Sequence, residues 1–202
     1  MNLPRISFWS GLISGPVYVG LGLSLALATP GFELSKHALS LLTLGPLGVI
    51  QVANLWVTGL LLIIASLEWK KSAGWFIRLY GLALVLSGIF LPDPAGGFPV
   101  GIETSPTFHG VLHFVCGGVG FVFLALATIA MGLRCFREGQ RGNAIFAWAT
   151  GLVFLIGFGW MAGSAGSPIS LLAFWVALIV TFVWIAKVQW GLRPALKPQE
   201  ST

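Results

Sequence analysis

Six runs of about 20 apolar residues, each long enough to cross a bilayer as a helix, occupy residues 8–29, 46–67, 74–91, 110–133, 143–163 and 168–186. No other feature constrains the fold as strongly. In hydrocarbon every backbone N–H and C=O must be paired internally, and a helix does this within one segment. The runs take up most of the 202 residues and leave no length for a soluble domain. Residues 1–202 therefore read as one all-α domain, a polytopic bundle of six transmembrane helices. The charged fraction agrees: it is 8% here, against about a quarter in a soluble domain.

A net charge of +5 would suggest nucleic acid as the partner of a soluble protein, but here its distribution reads as topology, and no nucleic-acid partner is expected. With the N-terminus in the cytoplasm, Arg5, Lys70, Lys71, Arg78, Arg134, Arg137, Arg141, Lys187, Arg193 and Lys197 fall on the cytoplasmic side. Only Lys36 falls outside. Excess Lys and Arg in cytoplasmic loops is the main determinant of orientation, so both termini are expected in the cytoplasm. Residues 30–45, 92–109 and 164–167 then form the outer loops. The two cysteines, Cys116 and Cys135, lie at opposite ends of the fourth run, too far apart to pair with each other.

Within the spans, Gly11 and Gly15 have the small-xxx-small spacing that lets helices approach closely. Gln51, Asn54 and Thr58 recur at three and four residues and share one face of the second span. Between the first two spans, residues 33–44 place Leu34, Ala38, Leu41 and Leu42 on one stripe and Glu33, Lys36, His37 and Ser40 on another. This predicts a short amphipathic helix lying in the outer interface.

Residues 91–118 carry most of the chemistry: prolines 92, 94, 99 and 106, the acid Asp93, and two of the three histidines. Ser105-Pro106 reads as a helix start, with serine as the cap and proline at the first helical position. His109 then sits in the first turn and His113 one turn deeper on the same face. Two imidazoles at this spacing can share one metal ion, such as zinc. Asp93 is the first candidate for a third ligand, followed by His37 or Glu33. The alternative role for the same side chains is to cap helices and bind loop carbonyls.

The loop ELSKHALSLLTLG, Asn54 in QVANLWVTGLLL, the Leu91-Pro92-Asp93 exit and His109-Gly110-x-x-His113 together resemble the DUF998 family. That resemblance spans about residues 10–190 and implies a six-span protein of a bacterial or archaeal cytoplasmic membrane. There is a fainter similarity to the membrane hydrolases that include alkaline ceramidases and progestin-receptor-like proteins. It implies a zinc site of His109, His113 and Asp93, with His37 as a further ligand and Ser35 or Ser105 as the serine beside Asp93 in catalysis. Those hydrolases have seven spans, and their histidine pair lies on a late helix.

Three functional classes follow. The leading one is an accessory or scaffold bundle that binds membrane lipid or a cofactor, or packs into a larger membrane complex or against copies of itself. Its 27 glycines and 9 tryptophans suit close helix contact and interfacial anchoring. The second is a metal-dependent hydrolase acting on a lipid amide or ester at the outer face, with zinc acidifying a bound water. The third, a small transporter, calls for more mid-membrane polarity than Gln51, Asn54 and Thr58 supply.

Overall fold

The computed structural model describes residues 3–164 and 167–193; Lys197 and part of the 164–167 connection lie outside the described residues. Among the described residues six helices are long and apolar enough to cross a membrane. They are α1 (Leu3–Ala28), α2 (Gly48–Ala65), α3 (Lys71–Ile89), α4 (Phe108–Arg137), α5 (Arg141–Gly163) and α6 (Pro168–Gly191). The protein is an all-helical integral membrane protein. Each helix packs on its neighbours in sequence, and α1 returns to α6, which closes a ring.

The burial pattern is that of a membrane protein. α1 turns Ser7, Ser10, Gly11, Ser14 and Gly15 inward and leaves Trp9 and Ile13 exposed. Hydrocarbon solvates large apolar side chains as well as a protein core does, so small residues gain more at the contacts, where they let backbones approach. Gly11 and Gly15 do this between α1 and α6: Gly11 lies against Gln189 and Gly15 against Phe182. At residues 16–21 α1 widens into a π-helical segment that begins at Pro16. A proline removes an intrahelical donor, and π-bulges are a common way to absorb the misfit. Asn54 of α2 then donates to the Tyr18 carbonyl in that segment at 3.1 Å. The expected polar face of α2 is fully buried, with Thr58 donating to Asn54 and Asn54 to Gln51.

The stretch after α1 differs from a helix lying flat in the interface. Its regular part is a 3-10 turn over Leu39–Leu44 that buries Leu39, Leu41, Leu42 and Thr43. Leucines on successive positions are better buried by tucking under neighbouring helices than by one amphipathic stripe. Cys116 and Cys135 are both free thiols.

One end of the bundle, here the basic end, gathers Arg5, Lys70, Arg134, Arg137, Arg141, Lys187 and Arg193 at the ends of α1 to α6. The opposite end, the loop end, holds residues 29–47 and 90–107.

Candidate functional site

At the loop end two helix termini are closed by side chains from each other's neighbourhood. Asp93 leaves α3 and accepts two hydrogen bonds from Thr107, from the hydroxyl at 2.6 Å and from the backbone N–H at 3.0 Å. The Thr107 oxygen in turn accepts from the Gly110 N–H at 3.0 Å, which makes Thr107 the cap of α4. The helix therefore starts after Thr107 and not at Ser105-Pro106. Its cap is chosen by the partner that can hold it extended, and Asp93 holds Thr107. Ser105 stays on the exposed loop. Gly110 is required here, since a side chain at that position would run into the Asp93 carboxylate. The donating Thr107 hydroxyl and N–H hold the Asp93 carboxyl below its ordinary value of 3.8, and the nearby His113 pulls the same way.

His113 does the reverse service for α3. Its Nδ1 lies 2.9 Å from the Ser87 carbonyl and 2.7 Å from the Phe90 carbonyl. Carbonyls only accept, so Nδ1 carries the hydrogen and caps the end of α3. Among the described residues Nε2 has no hydrogen-bond partner.

His37 is buried with both nitrogens engaged. Nδ1 accepts from the Glu33 N–H at 2.8 Å, and Nε2 donates to the Gly96 carbonyl at 3.0 Å. Phe32 and Phe98 pack against its ring. The Gly96 carbonyl is presented by a tight turn in which Ala95 and Phe98 exchange hydrogen bonds of 3.1 Å. Both central residues, Gly96 and Gly97, have positive φ, at 64° and 81°, as the type I′ turn demands. His109 sits at the exposed rim against Phe90, with ring centres 5.7 Å apart. Ser35 is half-buried.

The structure thus brings Asp93 and His113 together and sets His37 and His109 apart as a strut and a rim residue. Among the described residues no three His, Cys, Asp or Glu side chains gather closely enough to hold a metal ion.

Behind Asp93 and His113 lies a cavity of about 500 Å³ inside the ring, lined in part by loop-end residues such as Ala38, Pro92 and Ala95. Its walls are mostly apolar, with Leu84, Phe121, Phe174 and Leu178 among them. Two hydroxyls that line it, Tyr80 Oη and Ser87 Oγ, are buried without a hydrogen-bond partner among the described residues. Buried polar groups are nearly always paired, so these two hydroxyls and the His113 Nε2 make this cavity the candidate site. Tyr80 and Ser87 carry no motif in the sequence. The available signal was rarity: the chain has 2 tyrosines, Tyr18 and Tyr80, and both line the cavity.

No curated protein and no solved structure matches this chain. A family model described as a protein of unknown function, DUF998, matches residues 12–191, a span that runs from α1 to the end of α6 and includes Asp93, Thr107, Gly110 and His113; the chain belongs to the DUF998 family.

Proposed function

We propose that this protein binds one amphiphile of the bilayer, apolar body in the central cavity and polar head at His113 and Asp93, at the outer face of a bacterial or archaeal cytoplasmic membrane. The observation that carries this reading is the cavity itself. Its volume of about 500 Å³ falls in the range of small-molecule sites, about 300–1,000 Å³, and such sites are apolar with a few polar groups for orientation. The polar groups that line it include the His113 Nε2, the Ser87 and Tyr80 hydroxyls and the Asp93 carboxylate. They suit a head group that both donates and accepts. The outer-face placement rests on the basic residues at the opposite end.

The test is native mass spectrometry of protein purified in mild detergent, with extraction and identification of whatever is retained. One amphiphile per protein is expected in the wild type. Gly118→Trp should lose it, because Gly118 lines the cavity and a Cβ there meets no atom within 4 Å. The open space at the Cβ leaves the backbone undisturbed, and the indole is expected to occupy the cavity. Wild type that retains nothing, and takes up no fluorescent fatty-acid analogue, overturns the reading.

One observation favours a second reading, hydrolysis of a lipid amide or ester in the same cavity: an imidazole with its Nδ1 fixed as donor and its Nε2 free is the arrangement of a general base. The same preparations, purified with and without zinc and assayed for fatty-acid release, decide between binding and turnover. Stoichiometric zinc would give His113 and Asp93 ligand roles.

A further inference from the structure

We propose that the basic end carries a second, separate site, for a phosphate-bearing anion presented at the membrane surface. A pocket of about 300 Å³ lies between the last turns of α4 and α6 and the first turn of α5. Arg134, Lys187, Glu138 and Asn143 form its polar wall, and Met131 and Trp184, both buried, form its floor. Two cations from helices that are not sequence neighbours face one space, with a single carboxylate between them.

Among the described residues the hydrogen-bonding capacity of those cations is largely unused. Arg134 gives its Nε to Glu138 at 2.8 Å, and among the described residues neither terminal nitrogen of the guanidinium has a hydrogen-bond partner. Among the described residues no carboxylate pairs with Lys187. Its ammonium lies 4.8 Å from the centre of the Phe146 ring, a contact that holds the charge in place without consuming a donor. A guanidinium edge and an ammonium facing one pocket match the oxygens of a phosphate, which takes several charge-assisted hydrogen bonds at once.

A phospholipid head group and free phosphate share this chemistry. The lipid is the better fit, because the pocket has an apolar floor and an exposed tryptophan, Trp190, on its rim, as sites in the interfacial layer have. This site is at the opposite end of the bundle from the cavity, so it stands or falls independently of the amphiphile.

Wild type, the double variant R134Q/K187Q and the charge-keeping K187R are reconstituted in phosphatidylcholine alone, with added phosphatidylglycerol, or with inorganic phosphate. Thermal unfolding and lipid retention in native mass spectrometry are read. In wild type phosphatidylglycerol should raise the unfolding midpoint and stay bound, and K187R should behave the same way. Each cation removed should weaken retention roughly fivefold, and the pair roughly 30-fold. A rise produced by inorganic phosphate instead, and lost in the double variant, supports the site and assigns it a soluble ligand. Wild type that responds to neither anion, or a response the double variant keeps, overturns the proposal. Should the double variant not fold in phosphatidylcholine, K187Q carries the test, because Lys187 is exposed and its loss leaves the core intact.

Discussion

Asp93 is the residue on which the loop end turns, because one carboxylate holds Thr107 and through it the first turn of α4. Its carboxyl is depressed by the bonds it accepts from Thr107, and a group depressed in the folded state stabilises that state only when ionised. Its contribution is therefore complete above the unfolded carboxyl's range, near 3.8, and is lost as pH falls through the lower folded value. We predict a wild-type unfolding midpoint that holds steady as pH approaches 4 from above and drops below it. Asp93→Asn should start lower and show a shallower drop, since an amide keeps the shape and has no proton to gain. A variant as steep as wild type would place the acid sensitivity elsewhere, Glu33 being the next candidate because its bond from Lys36 depresses it too. The HxxxH spacing was plain in the sequence and put His109 and His113 on one face; of the two, only His113 lines the cavity. The carbonyls that fix its ring, at Ser87 and Phe90, belong to the backbone of another helix and leave no sequence trace.

Among the elements, α2 and α3 cross with their backbones close together, where Gly59 and Gly81 face each other. A Cβ on Gly59 would come within 2.5 Å of the Gly81 carbonyl, and one on Gly81 within 2.6 Å of the Gly59 carbonyl. Each glycine is thus the surface on which the other helix rests, and a backbone carbonyl cannot rotate out of the way as a side chain can. Gly59→Ala should cost about 1–3 kcal/mol from overpacking, outweighing the gain of up to about 1 kcal/mol that alanine brings to a helix interior. Gly159→Ala, on α5 with no atom within 4 Å of the new Cβ, should be neutral or stabilising. Equilibrium unfolding in mixed detergent micelles compares the two, and equal effects would remove the contact from the account. Neither partner was legible beforehand, because glycine is common throughout this chain and only the crossing point distinguishes these two. The Ser-Pro signature shows the same limit: at Ser167-Pro168 it does begin α6, with Ser167 as the cap, whereas at Ser105-Pro106 a better-held cap two residues on takes its place.

At the scale of the whole molecule, the number and order of helices were legible because length and apolarity alone decide which segments span, and those are local quantities. The closure of the ring was not, because it joins the two ends of the chain through one polar side chain near the end of α6 and the packing of small residues of α1. Gln189 donates to the Ser7 carbonyl at 2.5 Å and to the Ala65 carbonyl at 3.1 Å, and accepts from the Trp69 indole at 2.8 Å. Ser7 itself donates to Ala65 at 2.7 Å. In sequence Gln189 is one amide in an apolar run; in the fold it ties α1, the end of α2 and the following Trp69 to α6. Gln189→Leu would leave the Trp69 indole N–H buried without a partner and two carbonyls with fewer donors. We expect a loss of about 2–3 kcal/mol, less than the sum of three separate bonds because partners are partly replaced in a membrane environment. Thr181→Val is the control: Thr181 is equally buried on α6, but its hydroxyl bonds only its own helix, at the Ala177 carbonyl, and its loss should cost under about 1 kcal/mol. Circular dichroism should show both variants fully helical, since each helix satisfies its own backbone. Unfolding midpoints that fall equally in the two would mean that the ring is held by the packing of Gly11 and Gly15 against α6 and not by the amide.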